Sequence, residues 1–317
     1  MGLLVDGKWQ DKWYDTKSTG GRFVRRESQF RDWITADGSF GFKAEPDRYH
    51  LYLSLACPWA HRTLIFRKLK KLEDIISISI VDPLMEENGW EFTEYPGSIS
   101  DSLNGSQYLH QIYTAAKADY AGRVTVPVLW DKEKKTIVNN ESSEIIRMLN
   151  SEFNEFGDSE LDFYPSNLRD EIDRANLIVY DNINNGVYKC GFATTQEAYE
   201  EAFNNLFNTL DHIESLLAEQ WYLVGDKMTE ADWRLFTTLL RFDLVYYTHF
   251  KCNLRRIEEY PRLSNYLKEL YQYPGVSETV NFKHIKEHYF KSHKTINPTG
   301  IVPKGPELDL STPHNRT

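Results

Sequence analysis

The stretch Leu-Tyr-Leu-Ser-Leu-Ala-Cys-Pro-Trp-Ala-His-Arg at residues 51–62 decides the fold, because it places a β-strand directly before a helix. Leucines alternate with other residues at its start, as in a strand, and apolar residues then recur at helical spacing as far as Leu72. Pro58 suits the first helical position, where its missing N–H is not needed. We therefore expect Cys57 at a helix N-terminus, where free backbone N–H groups and the helix dipole stabilise a thiolate.

Cys57 carries the clearest chemical signal in the chain. A cysteine taken at random is more often an inert buried residue than a nucleophile, but a strand, a Cys-Pro pair and a helix in that order favour the nucleophile. Ala60 stands where a C-x-x-C pair would have its second cysteine. We therefore expect that the thiol that resolves a Cys57 disulfide comes from another molecule.

The rest of the chain predicts a mixed α/β domain followed by an all-helical one. A strand at 75–81, a helix at 106–117, strands at 125–130 and 136–138, and a helix capped by Asn139-Asn140 complete the α/β domain. Beyond the polar stretch that ends at Pro165, every periodic segment is helical, and Thr229 with Asp232 forms a capping box. The expected organisation is an N-terminal extension at 1–48, an α/β domain at 49–150, an all-α domain at 166–290 and a tail at 291–317.

Length, composition and charge exclude several classes of protein. The 317 residues are enough for two cores, and 41% hydrophobic with 26% charged residues is typical of a folded globular protein. The 37 Lys and Arg against 47 Asp and Glu give a net charge of -10, which disfavours nucleic acid as a partner. A local group of basic residues lies mostly on what we interpret as the solvated face of one helix: Arg62, Arg67, Lys68, Lys70 and Lys71.

The cysteines and the N-terminus indicate where the protein works. Three cysteines at wide spacing build neither a disulfide framework nor a zinc module, and they fit a reducing compartment. Residues 1–12 lack the apolar core of a secretory signal, and no apolar run approaches the length of a membrane span. We therefore expect a cytoplasmic protein without a membrane partner. The string His-Ile-Lys-Glu-His at 284–288 has the spacing of one class of zinc peptidase, but its neighbours indicate no third ligand, so we expect no metal.

Two further features indicate a peptide-like ligand. Pro127 stands in a strand-like stretch, where it removes a ladder donor. A cis Val126–Pro127 bond at the strand start explains this and could turn the Val126 backbone toward an extended peptide, whereas an edge-strand proline without a role is the alternative. Glu141-Ser142 begins the next helix, where Ser142 and the helix N–H groups suit a carboxylate and Glu141 suits an ammonium. Taken alone, this pair is more simply explained as helix capping.

Four motifs carry a resemblance to a known family. They are Ala-Cys-Pro-Trp-Ala-His-Arg at 56–62, Arg-Val-Thr-Val-Pro-Val-Leu-Trp-Asp at 123–131, Asn-Asn-Glu-Ser-Ser-Glu-Ile-Ile-Arg at 139–147 and Asn-Asn-Gly-Val-Tyr-Lys at 184–189. Together they resemble the glutathione transferases, and most closely the glutathionyl-hydroquinone reductases of the xi class. The likeness covers nearly the whole chain. It implies a thioredoxin-like N-terminal domain, an all-α C-terminal domain and a homodimer.

The resemblance also implies roles for individual residues. Cys57 would be the nucleophile, and Tyr188 and Tyr289 would face an aromatic substrate in the helical domain. The residues along which glutathione would lie are Trp90, Arg123, Val126, Glu141 and Ser142. Without the resemblance, Trp90 is more simply a packed indole, Arg123 a solvated charge and Tyr289 a packed tyrosine.

The reaction implied by the resemblance begins when the Cys57 thiolate attacks the glutathionyl sulfur of an S-glutathionyl-hydroquinone and releases hydroquinone. A second glutathione then releases oxidised glutathione, so glutathione is a co-substrate and no cofactor is bound. We hypothesise that the ring reacts as its keto tautomer, with Tyr188 or Tyr289 handling the phenolic proton. The alternatives are a glutathione-dependent thiol transferase or dehydroascorbate reductase, and a non-catalytic binding protein with the transferase fold.

Overall fold

The computed structural model describes residues 2–316, which form two compact units. Each unit consists of three segments, and the segments of the two units alternate along the chain. Unit 1 comprises residues 2–13, 27–161 and 279–294, and unit 2 comprises residues 14–26, 162–278 and 295–316. These units differ from the contiguous ranges expected at 49–150 and 166–290, because residues 279–294 join unit 1 and the 1–48 extension contributes to both. Local periodicity identifies a helix but does not reveal which core covers it.

The regular elements follow one another along the chain in a mixed α/β series and then a helical one. They are β1 (Leu3–Val5), β2 (Lys8–Gln10), β3 (Ile34–Thr35), β4 (Phe42–Lys43), β5 (Tyr49–Leu53), α1 (Pro58–Leu69), β6 (Ser77–Ile80), β7 (Met85–Glu86), β8 (Gly89–Trp90), α2 (Leu109–Ala116), β9 (Gly122–Arg123), β10 (Val128–Asp131), β11 (Thr136–Asn139), α3 (Ser142–Ser151), α4 (Arg169–Val179), α5 (Gly186–Phe192), α6 (Gln196–Leu216), α7 (Glu230–Arg241), α8 (Tyr247–His249), α9 (Pro261–Gln272) and α10 (Phe282–Ser292). Short 3-10 turns lie at Ser166–Leu168, Ile257–Glu259 and Ser277–Thr279, and π-helical turns lie at Tyr180–Asn184 and Phe242–Tyr246.

Unit 1 is built on a mixed four-stranded sheet in the order β11-β10-β5-β6. Strand β5 is parallel to β6 and antiparallel to β10, so that Leu51 lies between Ile78 and Leu129. Leu51 and Leu129 are fully buried, which fixes the register because a slip by one residue would turn them to the other face. The predicted strands and helices from β5 to α3 are present in the predicted order, and the short strands β7, β8 and β9, which were not predicted, lie between them.

The N-terminal extension contains strands that were not predicted. Strands β1 and β2 join β9 in a small antiparallel sheet in the order β2-β1-β9, and β3 pairs with β4 in parallel. Each has two or three residues, which is too short for alternation of apolar and polar residues to be detected.

The predicted cis Val126–Pro127 bond is present, directly before β10. The start of α3 differs from the prediction, since the N-cap is Glu141 and not the Asn139-Asn140 pair. Asn139 instead accepts the Glu141 N–H through its side-chain oxygen at 2.7 Å. The asparagines therefore shape the turn that leads into the helix, and the glutamate caps it.

Unit 2 is helical, with α7 at its centre. Every residue of α7 is buried, including Trp233. The predicted capping box is confirmed, because the Asp232 carboxylate accepts the Thr229 N–H at 2.7 Å. Asp232 also accepts the Tyr266 hydroxyl at 2.7 Å, so the buried carboxylate joins the start of α7 to α9. No helix within residues 2–316 is long and apolar enough to cross a membrane.

Candidate active site

Cys57 is the N-cap of α1, with extended backbone angles (φ −78°, ψ 123°). Its carbonyl accepts the His61 N–H at 3.0 Å, which begins the helical ladder, and its own N–H donates to the Ser54 carbonyl at 3.2 Å. The half-buried side chain places Sγ 3.7 Å from the Val126 carbonyl oxygen. The thiol thus lies at the positive end of a helix dipole and beside the cis-proline loop, in agreement with the prediction.

Tyr113 holds the cis-proline loop, a role that sequence analysis missed. Its fully buried hydroxyl donates to the Thr125 carbonyl at 2.7 Å and accepts the Thr125 N–H at 3.2 Å. It also accepts the Asn140 side-chain amide at 3.1 Å. One hydroxyl therefore joins the residue before Val126 to the residue before Glu141, and burial raises its pKa, so that it stays neutral.

Glu141 and Ser142 lie at the start of α3. One carboxylate oxygen of Glu141 accepts the Ser143 N–H at 3.2 Å, and the other accepts the Ser28 hydroxyl at 3.2 Å. Ser142 is buried, and its hydroxyl oxygen accepts a hydrogen bond from the Arg62 guanidinium at 3.4 Å. A free carboxylate at this helix start would meet backbone N–H groups and a nearby cation.

Three of the five basic residues at 62–71 contradict the prediction of a solvated face, whereas Lys68 is half-buried and Lys71 is exposed. Arg62 is 1% exposed and lies over the Trp59 ring at 4.6 Å. Arg67 is buried and donates to the Ile76 carbonyl at 2.6 Å, and Lys70 is buried and donates to the Asn154 side chain at 3.0 Å. The prediction failed because helical spacing does not show that polar groups from elsewhere cover these charges. Arg62 is accordingly a site residue that sequence analysis missed.

Trp90 lies in the β7–β8 hairpin and is 5% exposed. Its indole stacks on the His288 ring, with the ring centres 4.8 Å apart and the planes at 21°. His288 Nδ1 is 2.8 Å from the Pro83 carbonyl oxygen, which can only accept, so Nδ1 carries a hydrogen.

His284, the other histidine of the 284–288 string, contacts the Pro96 carbonyl through Nε2, also at 2.8 Å. Within residues 2–316, no group of three His, Cys, Asp or Glu side chains is placed to hold a metal ion.

Arg123 belongs to β9, where it pairs with Leu3 of β1. Its guanidinium donates to the Lys12 carbonyl, and its own carbonyl accepts the Tyr120 hydroxyl at 3.1 Å. Hydrogen bonds therefore hold both the backbone and the side chain of Arg123, which is not the solvated loop charge that the sequence without the family resemblance would suggest.

The two predicted tyrosines lie in different units. Tyr289 lies on α10 in unit 1 and is 1% exposed, with its ring 5.2 Å from His288 and 5.5 Å from His293. This position differs from the helical domain in which sequence analysis expected it. Tyr188 lies on α5 in unit 2, 5.4 Å from the Phe250 ring, and the Arg25 guanidinium lies 5.2 Å above the Tyr188 ring.

The structure therefore places seven of the eight predicted site residues in unit 1, and only Tyr188 in unit 2. The other two cysteines, Cys190 and Cys252, are 2% and 0% exposed in unit 2. Burial raises the pKa of the Cys252 thiol, and the neighbouring Cys190 raises it further. These thiols are shielded, whereas Cys57 is half-buried.

Comparison with known proteins matches this chain to glutathione transferases, both by family and by individual relatives. The family of the glutathione S-transferase N-terminal domain matches residues 56–152, and that of the C-terminal domain matches residues 196–269. Glutathionyl-hydroquinone reductase YqjG of Escherichia coli is 58% identical, covering 100% of this chain and 98% of that protein. Glutathionyl-hydroquinone reductase PcpF of Sphingobium chlorophenolicum is 59% identical, covering 98% of each.

Solved structures are similar over the same length. The glutathione-bound structure of YqjG from E. coli superposes with a TM-score of 0.92 at 54% identity, covering 99% of both chains. A xi-class transferase from Natrialba magadii superposes with a TM-score of 0.93 at 49% identity, covering 99% of this chain and 96% of that one.

Proposed function

This chain belongs to the glutathionyl-hydroquinone reductases, the xi class of glutathione transferases, and on that premise we propose how its residues perform glutathione-dependent reduction of S-glutathionyl-hydroquinones. The observation that carries the proposal is the position of Cys57 at the N-cap of α1, with Sγ 3.7 Å from the Val126 carbonyl. A thiolate at that point is stabilised by the helix dipole and lies next to backbone groups that can bind a peptide.

Glutathione has groups that match the loops around Cys57. The Val126 backbone suits the cysteinyl peptide unit beside the sulfur. The γ-glutamyl end carries an ammonium and a carboxylate, for which Glu141 supplies a negative charge and Ser142 a hydroxyl at a helix start. Arg62, 3.4 Å from the Ser142 hydroxyl oxygen, adds positive charge there. We assign Trp90 and Arg123 to the remaining contacts with glutathione.

The first step moves the glutathionyl group to the enzyme. In the keto tautomer of the substrate, the ring hydroxyl proton has moved to the carbon that carries sulfur. The Cys57 thiolate attacks the glutathionyl sulfur, the S–S bond forms and the C–S bond breaks. The electron pair of the broken bond restores the aromatic ring as a phenolate, a far better leaving group than an aryl carbanion.

The second step regenerates the enzyme. A second glutathione, as its thiolate, attacks the glutathionyl sulfur of the mixed disulfide, and Cys57 leaves as a thiolate. The proton that the second glutathione gave up balances the phenolate, so the products are hydroquinone and oxidised glutathione. The substrate carbon is reduced, and two glutathionyl sulfurs are oxidised.

We assign Tyr188 and Tyr289 to the aromatic substrate and its proton. Tyr188 supports this role because four aromatic rings surround it, from Phe23, Phe192, Tyr246 and Phe250. The Arg25 guanidinium above its ring adds positive charge where a departing phenolate would gain from it.

Activity tests this proposal directly. Purified protein is incubated with a glutathionyl-hydroquinone and excess glutathione, and free hydroquinone and oxidised glutathione are measured. We expect rapid release with the wild type and with Cys252→Ala, which removes a thiol elsewhere, and none with a folded Cys57→Ser. Release by Cys57→Ser would refute the mechanism. Turnover of mixed disulfides or dehydroascorbate without hydroquinone release would assign the chain to those reductases, and no turnover of any of them would favour a binding protein.

We also propose that the protein is a homodimer in the cytoplasm. The family resemblance supports the dimer, and light scattering of the purified protein tests it. Dependence on reduced glutathione and three cysteines outside any disulfide support a reducing compartment, which fractionation of cells tests.

A further inference from the structure

The N-terminal extension contacts three separate loops that carry proposed glutathione-binding residues. We define the N-terminal clamp as residues 2–12 and 28–32, all of them in unit 1. We propose that the N-terminal clamp is a positioning element that fixes Trp90, Arg123 and Glu141 before glutathione binds. This inference rests on the proposed function, because it takes those three residues as part of the glutathione site.

Trp9 holds the hairpin that carries Trp90. Its indole N–H donates to the Glu87 carbonyl at 2.8 Å, within the turn between β7 and β8. Its ring lies directly on Gly89, so closely that a Cβ there would be 2.7 Å from the Trp9 Cη2 atom. The His110 ring stacks on the same indole, with the ring centres 4.9 Å apart. Trp9 therefore fixes the turn immediately before Trp90 by one hydrogen bond and by packing.

Strand β1 holds the backbone of Arg123. Leu3 pairs with Arg123 and Leu4 with Gly122, and Leu4 is buried. The Lys12 carbonyl, just beyond β2, accepts the Arg123 guanidinium. Because β9 belongs to the sheet β2-β1-β9 and not to the central sheet, its ladder bonds come from the clamp.

The second segment of the clamp holds the start of α3. The Phe30 carbonyl accepts the Asn140 N–H at 3.1 Å, and the Asn140 side-chain oxygen accepts the Phe30 N–H at 3.2 Å. The Ser28 hydroxyl lies 3.2 Å from a carboxylate oxygen of Glu141. Between them, Gln29 donates to the Ala121 carbonyl at 2.8 Å, so this segment also joins the Glu141 loop to the Arg123 loop.

The clamp acts more directly on binding than on chemistry. Cys57 is held by α1, and the Val126 loop is held by Tyr113, whose ring lies 5.9 Å from that of Phe30 in the clamp. Trp90, Arg123 and Glu141 differ in that their loops each make a direct hydrogen bond to the clamp. A loop that must be ordered by the ligand lowers affinity, because its lost freedom opposes binding. Loosening the clamp should therefore weaken glutathione binding and leave the bond-breaking step at saturation unchanged.

The test uses Trp9→Ala, Trp9→Phe and Ser28→Ala in the full chain, with Phe40→Ala as the control. Phe40 is an aromatic side chain in the 1–48 extension that is 71% exposed. Titration calorimetry with glutathione sulfonate, an unreactive analogue, gives Kd, and turnover gives kcat and KM for the glutathionyl-hydroquinone, whose glutathionyl group occupies this site in the first step. We expect Trp9→Ala to raise both Kd and KM about tenfold, equal to about 1.4 kcal/mol, with kcat unchanged. Trp9→Phe should recover part of the loss, Ser28→Ala should show a smaller one, and Phe40→Ala none.

Each outcome has a defined meaning. If Trp9→Ala and Ser28→Ala both bind the analogue as tightly as the wild type, or if only kcat falls, the positioning role is refuted. Ser28→Ala removes a single hydroxyl, so it decides the question if Trp9→Ala does not fold. If the wild type binds the analogue but does not turn over a glutathionyl-hydroquinone, the proposed reaction fails, and the clamp is still judged by Kd. A wild type that does not bind the analogue would refute the glutathione site itself.

Discussion

Acidification should destabilise this protein through His50, a buried histidine on β5. His50 is 3% exposed and lies between two serines of β6. The Ser79 hydroxyl donates to the Ser100 carbonyl at 3.0 Å, so its oxygen accepts from His50 Nε2 at 3.1 Å. The Ser77 hydroxyl can then donate to Nδ1 at 2.8 Å. The neutral ring has both nitrogens satisfied, and a proton on Nδ1 would remove the Ser77 donation.

The magnitude follows from the pKa of His50, which burial lowers from 6.5 to about 4. Above pH 6.5 the ring is neutral in the folded and unfolded chains, and the stability is complete. As the pH falls from 6.5 to 4, the unfolded chain binds a proton that the folded chain does not, so the free energy of unfolding decreases. Each tenfold difference in proton affinity corresponds to 1.36 kcal/mol, so the loss is about 2 kcal/mol at pH 5 and about 3 kcal/mol below pH 4.

Urea unfolding followed by tryptophan fluorescence at pH 7, 6 and 5 measures this loss in the wild type and in His50→Gln, whose amide does not titrate. The variant should lose about 2 kcal/mol less than the wild type between pH 7 and 5, whatever its stability at pH 7. His212→Gln, which removes an exposed imidazole, is the control. Burial lowers the pKa of His249 to about 4 as well, so some dependence on pH should remain in His50→Gln. Equal losses in wild type and variant would refute the reasoning.

Two further predictions concern the thiols and the packing of α5. In the native protein, iodoacetamide should modify Cys57 and leave the buried Cys190 and Cys252 intact until denaturant is added. Mass spectrometry of the digested protein measures the modification of each thiol. Rapid modification of a second thiol in the native protein would contradict the burial. Gly191→Ala should destabilise unit 2 by about 1 to 3 kcal/mol, because its new Cβ would lie 2.2 Å from the Phe250 ring. Gly186→Ala is the control on the same helix, since its Cβ would meet no atom closer than 3.7 Å, and equal urea midpoints for the two variants would show that α5 does not pack as described.

Features with a local cause could be predicted from the sequence. Cys57 and Pro58 identify a helix start, because proline lacks the N–H that the first helical position does not need. This effect, like that of the free N–H groups of the first turn, acts within one turn of the helix. The cis bond before Pro127 was predicted from a proline in a strand-like stretch. The helix capping box of Thr229 and Asp232 was predicted from two side chains three residues apart. These predictions needed no knowledge of the tertiary structure.

Features that depend on distant partners could not be predicted from the residues alone. Arg62 is buried because Trp59 and Ser142 cover it, and Ser142 is 80 residues away. Tyr113 is an ordinary apolar position of α2 until its hydroxyl reaches Thr125 and Asn140. The roles assigned to Trp90 and Tyr289 came from the family resemblance, since a buried aromatic side chain gives no sign of its function.

The return of α10 to unit 1 has a consequence for synthesis on the ribosome. Residues 27–161 of unit 1 include Cys57, the central sheet and Trp90, but the ring that stacks on Trp90 belongs to His288. A ribosome adds about 5–20 residues per second, so residues 162–278 delay α10 by roughly 6 to 23 s. Cys57 and α1 are therefore synthesised well before α10, the last element of their own unit. The nascent chain thus contains the nucleophile before Trp90 has its stacking partner.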